Sequence, residues 1–395
     1  MNIVPSIEKI FKGYFGEFFE TIPEFFLKNF LILVQGILSK KHSSISDIAR
    51  DPLNHCAHTT LTRFLKFHDE FWNEMKKIVQ AKVNASCTEK KVYIIDDTLV
   101  ERRGKQIPFV SKRFDHCTGQ YTQGQVILTV GAILKRVFQP LEMLFSAGSE
   151  EKDKSTDSKN EMAVCWLKAN NVSDVVVIGD NWYTNAYIIE SCHFWLKSTF
   201  IGQVKGGIIL KTAGKEVKVK NLVSSAKLNR SVKVKDRMIR YCSFSAEALS
   251  IRIAVKVVVT ELEDGSRAAL LCSDIHLSSE QIIEYYSQRW CIESFFKMAK
   301  QDFSFAKCHG RSQDSQNHYM ILISIAYLIF NDLKKLIGVF QKNVSNHQIS
   351  SAFNDALSIM FVILLGCAVF DSSSLGSSVC AYPKELQRLL RALLL

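Results

Sequence analysis

Three aspartates stand at the ends of two apolar runs that are typical of buried strands. The run "KVYIIDDT" (91–98) carries Asp96 and Asp97, and the run "DVVVIGDN" (174–181) carries Asp180. Open α/β sheets usually bind their ligands at the carboxyl ends of strands, although each aspartate alone is equally typical of a turn or a helix cap. Carboxylates without accompanying Cys or His ligands favour an oxygen-only site, which suits Mg²⁺ or Mn²⁺.

The segment "YYSQRWCIESFFKMAK" (285–300) predicts one amphipathic helix. At about 100° per residue, five side chains fall within an arc of about 80°, and these are Tyr286, Arg289, Glu293, Lys297 and Lys300. Its apolar side chains gather on the opposite face. Because Arg289–Glu293 and Glu293–Lys297 are i,i+4 pairs of opposite charge, this row taken alone is typical of a solvated helix face.

Two strands and a helix contribute acids that together suit phosphodiester cleavage and strand transfer, namely Asp96 or Asp97, Asp180 and Glu293. In that chemistry, carboxylates hold two divalent ions about 4 Å apart, which activate the attacking oxygen and stabilise the leaving oxygen. The sequence has no Walker loop and no G-x-G-x-x-G at a strand–helix junction. Nucleotide-driven and dehydrogenase chemistry therefore have no support.

The elements that must position these residues fall into five predicted regions. Three strands followed by helix, strand, helix and strand predict an α/β sheet, and alternating basic and apolar residues farther on predict a β-rich block with a basic face. The regions are an N-terminal helical region (1–88), a first catalytic part (89–205), a β-rich insertion (206–277), a second catalytic part with the Glu293 helix (278–318) and a C-terminal helical region (319–395).

The N-terminal region has features that concern nucleic acid. "SISD" (44–47) is a helix start signal, and a later helix is predicted to begin near "TTLTRFLK" (59–66). A helix, a turn and a second helix that starts with polar and basic residues are compatible with a DNA-reading unit. An ordinary helical bundle is equally compatible with this pattern.

The composition of the 395 residues, 47% hydrophobic and 23% charged, is typical of a globular protein. The net charge of +11 favours a polyanionic partner, nucleic acid first. The 11 Cys residues show no Cys-x-x-Cys spacing, which fits reduced thiols and argues against zinc. No secretory signal is recognisable and the apolar runs are too short to span a bilayer, which predicts a cytoplasmic protein without a membrane role.

The spacing Tyr286-x₂-Arg289-x₃-Glu293-x₆-Lys300 resembles the Y-R-E-K signature of DDE-type insertion-sequence transposases, in the insertion-sequence-four group and its relatives. "IIDDT" followed by "ERRGK" is similar to the first aspartate strand of that superfamily, and "VVVIGDNWYTN" is similar to the second. The order also agrees, since a β-rich insertion separates the second aspartate from the glutamate helix. The resemblance covers roughly residues 90–312.

This resemblance implies an RNase H-like mixed sheet with flanking helices, in which Asp96, Asp180 and Glu293 hold two Mg²⁺ or Mn²⁺ ions. The family pattern of Asp, one residue and then Thr selects Asp96 with Thr98 as the first position. Asp97, on the other face of the strand, is the alternative.

The resemblance also implies contacts with DNA. Tyr286 and Arg289 would grip phosphates near the cleavage point, and Lys300 would hold the terminal strand. Lys297 extends this basic stretch, and Trp182 either stacks on a base or packs against the protein.

The implied activity is cut-and-paste DNA transposition. The protein would bind the terminal inverted repeats of its element and the target DNA as a homodimer or a larger synaptic complex, associated with the nucleoid if the source is bacterial. The alternatives are a catalytically inactive, transposon-derived DNA-binding protein and an RNase H-like nuclease that cuts without integration.

Overall fold

The computed structural model of the protein describes residues 18, 22–39, 44–51, 56–85, 90–104, 106–115, 118–147, 158–212, 214–248 and 250–340. These residues form two compact units. The sheet unit comprises the described parts of Val83–Leu99 and Ser111–Phe296. The helical unit comprises the described parts of Met1–Lys82, Val100–Val110 and Lys297–Leu395.

The described helices are α1 (Glu24–Ser39), α2 (Ile45–Ala49), α3 (His58–Lys66), α4 (Asp69–Ala85), α5 (Lys159–Ala169), α6 (Ala186–Glu190), α7 (Val219–Ser225), α8 (Ser279–Ser287), α9 (Trp290–Gln301) and α10 (Gln313–Phe340), and a π-helical turn (Ser191–Trp195) follows α6. The described strands are β1 (Val92–Glu101), β2 (Ser111–Asp115), β3 (Gln120–Leu134), β4 (Val137–Ser146), β5 (Val176–Gly179), β6 (Thr199–Gln203), β7 (Ile209–Thr212), β8 (Lys215–Lys218), β9 (Arg230–Val234), β10 (Arg237–Ala248), β11 (Ala254–Glu261) and β12 (Arg267–Cys272).

Aromatic side chains hold the helical unit together. Phe64 on α3 packs against Phe71 and Trp72 on α4, with ring centroids 5.3 and 5.2 Å apart. The Trp72 ring also stacks on His318 of α10, with centroids 5.5 Å apart. The Nδ1 atom of His318 lies 2.9 Å from the carbonyl oxygen of Leu65, so one buried imidazole ties α10 to both α3 and α4.

A buried arginine fixes the segment that joins α9 to α10. Arg102 is 3% exposed, and its guanidinium donates to the carbonyl oxygens of Ala306 and Cys308. Gln316 closes the network, because its amide nitrogen donates to the carbonyl oxygens of Cys308 and Gly310 at 3.3 and 2.7 Å. These carbonyl groups would otherwise be buried without partners, which is costly in the protein interior.

In the sheet unit, the 12 strands found among the described residues form one mixed sheet. The strand order is β2-β3-β1-β5-β6-β12-β11-β10-β7-β8, with β4 on β3 and β9 on β10. Strand β5 is parallel to both β1 and β6, whereas the pairing of β6 with β12 is antiparallel. The predicted α/β class, a mixed sheet with flanking helices, is confirmed.

Burial on both faces explains why the central strands are continuous apolar runs. The consecutive residues Ile94 and Ile95 point to opposite faces of β1, and both are fully buried. The same holds for Val177 and Ile178 of β5. Strands covered on both faces carry apolar side chains throughout rather than in alternation. In β1 the half-buried Asp96 and Asp97 interrupt this burial, which resumes at Thr98 and Val100.

The predicted β-rich insertion forms strands, and these continue the sheet. β12 pairs with β6, and β11, β10, β7 and β8 extend the sheet from there. The alternation in "KEVKVKNLV" (215–223) is typical of a strand throughout, but the segment is strand only as far as Lys218, and the rest is helix α7. The N–H groups of Val219 and Lys220 donate to the carbonyl oxygens of Ile208 and Gly206, so contacts distant in sequence override the local strand preference.

Several predicted features fall at the margins of the described residues. The helix start at Ser44 is confirmed, with Ser44 and Asp47 forming a reciprocal capping box. The start of the N-terminal region before residue 18 and the C-terminal region beyond Phe340 lie outside the described residues. The DNA-binding role of the N-terminal helices and the five region boundaries remain predictions.

Among the described helices, none combines the length and the apolar character that a bilayer crossing requires.

The Arg102 network predicts a stability difference between two adjacent arginines. Arg102→Ala removes the guanidinium donor of the Ala306 carbonyl and one of the two donors of the Cys308 carbonyl. It is expected to lower the free energy of unfolding by about 1–3 kcal/mol. Arg103→Ala removes the same charge from an exposed position and is expected to change it by less than about 0.5 kcal/mol. Urea unfolding of both variants measures the difference, and equal effects would contradict this assignment.

Candidate active site

Strand pairing brings Asp96 and Asp180 side by side. In the parallel pair β1–β5, Ile94 lies opposite Ile178 and Ile95 lies opposite Gly179. Asp96 directly follows Ile95, and Asp180 directly follows Gly179. Neighbouring strands are about 4.8 Å apart, and residues in register project from the same face of a sheet. The two carboxylates therefore share one face, just beyond the last paired residues of β1 and β5. Asp180 follows the end of β5, but the prediction that the acids also end the first strand is wrong, because β1 continues through them to Glu101.

The environment of Asp96 penalises its negative charge. The side chain is 15% exposed, and burial together with the nearby charge of Asp180 raises the pKa of Asp96 to about 7. The backbone N–H of Asp97, which donates to Oδ1 of Asp96 at 2.8 Å, opposes this rise. Two close carboxylates with so little solvent constitute a site that a cation would stabilise.

Asp97 makes a different set of contacts. Its Oδ1 accepts hydrogen bonds from Nζ of Lys159 and from the hydroxyl of Tyr183, both at 2.6 Å. Tyr183 is fully buried, and burial together with the Asp97 charge raises its pKa well above the usual value. Because side chains alternate along a strand, Asp97 ties β1 to the segment after β5 and to α5, while Asp96 stays beside Asp180.

A tight turn fixes the Asp180 carboxylate. Its Oδ1 accepts from the backbone N–H groups of Trp182 at 2.8 Å and of Tyr183 at 3.2 Å. Its carbonyl oxygen accepts from the hydroxyl of Thr184 at 2.8 Å. Side-chain bonds to backbone groups two and three residues ahead are typical of aspartate in turns. This turn also leaves the Trp182 side chain 49% exposed.

The predicted single helix over 285–300 is wrong, because a turn at residues 288–289 interrupts the helix between α8 and α9. Around the break, Gln288 and Arg289 donate to carbonyl oxygens three residues earlier rather than four, a tighter turn than an α-helix makes. Arg289 stands in this turn and is turned toward the acids. Because the apolar pattern continues through this interruption, periodicity alone does not reveal it.

Arg289 links the helix to the strand carboxylates. Its Nη2 lies 2.6 Å from Oε1 of Glu293, and its Nη1 lies 3.8 Å from Oδ2 of Asp96. The guanidinium also lies 5.8 Å from the ring centroid of Tyr286. The structure thus brings Asp96, Asp180, Arg289 and Glu293 into one group, with the arginine as its positive member.

Tyr286 is held by the sheet. Its hydroxyl donates to Oε1 of Gln203 at 3.3 Å, and burial raises the pKa of Tyr286 to about 12. The last two predicted DNA contacts, Lys297 and Lys300, are exposed on later turns of α9 and belong to the helical unit.

The acids suit a divalent cation only in part. Asp96 and Asp180 supply adjacent oxygen ligands of the kind that Mg²⁺ prefers. Glu293, by contrast, is paired with Arg289, and within the described ranges no three Asp, Glu, His or Cys side chains are arranged to coordinate one metal ion. Asp96 and Asp180 supply two such ligands as they stand, whereas Glu293 is engaged by Arg289.

The sequence did not point to four residues in or beside this group. Lys159 and Tyr183 contact Asp97, Gln203 contacts Tyr286, and Lys205 lies over the Trp182 ring. Lys159 contacts a carboxylate 62 positions away, and Tyr286 contacts Gln203 across 83 positions. No local spacing encodes such pairs. Only Tyr183 could have been linked to the site from the sequence, because it stands three residues after Asp180.

Comparisons with known proteins place the chain in a family. The family model described as "Transposase DDE domain" matches residues 88–329. A comparison with curated proteins found no match. One similar solved structure is a cryo-EM structure of the piggyBac transposase synaptic complex with hairpin DNA, with 15% sequence identity and a TM-score of 0.48, covering 92% of this chain and 77% of that chain. Because the family model matches more than half of the 395 residues, the chain belongs to the transposases with a DDE domain.

Proposed function

We propose that this chain is a cut-and-paste DNA transposase of the Y-R-E-K type, in the insertion-sequence-four group or its relatives, that acts with Mg²⁺ or Mn²⁺. Membership of the DDE family supports a DNA transposase in general terms. The observation that carries the finer proposal is the register of β1 and β5, which makes Asp96 and Asp180 neighbours, together with the Arg289 bridge from Asp96 to Glu293.

In the proposed reaction, water first cleaves the phosphodiester at the end of the element and leaves a 3′-OH. That 3′-OH then attacks a phosphodiester of the target, and a target 3′-OH departs. Divalent ions bound by carboxylates activate the attacking oxygen and stabilise the leaving oxygen in such reactions. Asp96 and Asp180 would hold these ions, with Glu293 as the third ligand.

The remaining residues would orient DNA and the acids. Arg289 has a planar guanidinium that can exchange its carboxylate partners for a phosphate with the same paired geometry. Tyr286, whose hydroxyl is fixed by Gln203, would contact the same strand. Lys297 and Lys300 on α9 would bind the backbone farther along. A homodimer or larger complex would bring the two ends of the element together.

Arg289 has a further consequence for the carboxylates. Without DNA, Arg289 neutralises Glu293 and stabilises the negative charge of Asp96. A phosphate that draws Arg289 away would leave three acids with one counter-ion fewer, which favours a divalent cation. DNA binding and metal binding would therefore reinforce each other, and any such coupling is reciprocal.

Cleavage by acid variants tests the proposed site. Asp96→Asn, Asp180→Asn and Glu293→Gln are each expected to lower Mg²⁺-dependent cleavage of DNA carrying the flanking inverted repeat by at least about 100-fold, because each removes a ligand charge. Asp97→Asn keeps the shape that bonds Tyr183 and is expected to lower it by less than about tenfold. Circular dichroism verifies folding of each variant.

An active Asp96→Asn protein with an inactive Asp97→Asn protein would reverse the assignment of the first ligand. Normal cleavage by Glu293→Gln would remove the mechanism. Cleavage without joining to a target plasmid would indicate a nuclease, and DNA binding without any cleavage would indicate a repurposed binding protein.

Metal affinity in the absence of DNA tests the role of Arg289. Arg289→Gln removes the guanidinium that competes for Glu293, so the Kd for Mn²⁺ measured by calorimetry is expected to fall by about tenfold, or about 1.4 kcal/mol. Arg240→Gln is the matched control, because Arg240 pairs at 2.9 Å with Glu261, away from these acids in the sheet. An unchanged or weaker Mn²⁺ affinity in Arg289→Gln would count against the proposal that Arg289 competes with the metal ion for Glu293.

A further inference from the structure

Two lysine ammonium groups converge on one exposed tryptophan beside the acids. Nζ of Lys159 lies 4.7 Å from the Trp182 ring centroid, and Nζ of Lys205 lies 4.8 Å from it. Both distances are within the range of cation–π attraction. Trp182 is itself fixed by its backbone N–H bond to Asp180, so the indole and both ammonium groups are held next to a carboxylate of the candidate site.

The two lysines differ in their other partners. Lys159 is the first residue of α5, and its ammonium group is neutralised by Asp97 at 2.6 Å. Lys205 is exposed in the turn after β6, and among the described residues no carboxylate lies within ion-pair distance of it. Its ammonium group is therefore available to an anion, and the cation–π contact with Trp182 restricts the position of that group.

A second exposed tryptophan in the same unit provides a comparison. Trp195, in the π-helical turn, is 56% exposed, and Nζ of Lys168 lies 3.3 Å from its ring centroid. This pair has one lysine instead of two, and Trp195 makes no described hydrogen bond to a predicted metal ligand. The Trp182 group is thus distinguished by its second ammonium group and by its attachment to Asp180, not by an exposed indole alone.

We infer that Trp182, Lys159 and Lys205 form a phosphodiester-binding site for the DNA strand that enters the candidate active site. Lys205 would contact the phosphate directly, Lys159 would add positive potential, and Trp182 would hold both ammonium groups in place. The inference rests on the proposed function for the identity of the anion as DNA. It gives Trp182 the task of positioning lysines rather than stacking on a base, because ammonium groups already lie over its ring.

Salt-dependent DNA binding without divalent ions tests the site independently of cleavage. A labelled duplex carrying the flanking inverted repeat is titrated by anisotropy at several salt concentrations. Lys205→Ala is expected to make the slope of log K against log salt shallower by about 0.9, the value for one phosphate contact, which corresponds to about eightfold weaker binding at 0.1 M salt. Lys205→Arg is expected to retain the slope, and Lys168→Ala, the matched control, to leave it unchanged.

A double-mutant cycle separates positioning from stacking. If Trp182 acts through Lys205, Trp182→Ala makes the slope shallower, and adding Lys205→Ala has little further effect. Weaker binding of Trp182→Ala with an unchanged slope would indicate base stacking and overturn the inference. An equal loss of slope in Lys168→Ala, or none in Lys205→Ala, would overturn it as well.

This outcome is separable from that of the proposed function. Loss of slope in Lys205→Ala together with an absence of cleavage in the unmodified protein would leave the phosphate site standing while the enzymatic proposal fails. Cleavage that depends on Glu293 together with an unchanged slope in Lys205→Ala would do the reverse.

Discussion

Two carboxylates must occupy neighbouring positions because β1 and β5 pair in parallel and in register. That pairing places Asp96 beside Asp180, immediately after the last paired residues, Ile95 and Gly179. The arrangement is unfavourable for the protein alone, since burial and the neighbouring charge raise the pKa of Asp96 to about 7. A sheet that accepts such a cost commonly does so at a functional site. The positively charged groups beside these acids offset the repulsion.

Charge compensation comes from both sides of the strand. On one face, Lys159 neutralises Asp97, so the second aspartate of the pair does not add an uncompensated charge. On the other, Arg289 bridges Asp96 and Glu293 from a tight turn between α8 and α9. The interruption of the helix is therefore part of the site. A guanidinium is also the group best matched to phosphate, which is why the same residue suits both the DNA-free protein and the proposed complex.

The sequence predicted the two apolar strands that bring the acids together and the α/β class of the sheet, because continuous apolar runs and alternation are local signals. It placed the end of the first strand too early, since β1 continues through the acids to Glu101. It could not distinguish Asp96 from Asp97 on residue grounds, since alternation puts them on opposite faces without saying which face carries a site. The interruption of the helix before Trp290 was not predicted, because the periodic spacing of apolar residues continues through it. The contacts of Lys159 and Lys205 with Trp182 also escaped, because they join elements far apart in the chain.

The location of bound metal tests the central claim most directly. Anomalous diffraction from crystals of the protein grown with Mn²⁺ and DNA is predicted to show a metal peak at coordination distance, about 2.1 Å, from carboxylate oxygens of both Asp96 and Asp180. A peak bound by Asp97 in place of Asp96, or no peak between β1 and β5, would contradict the account.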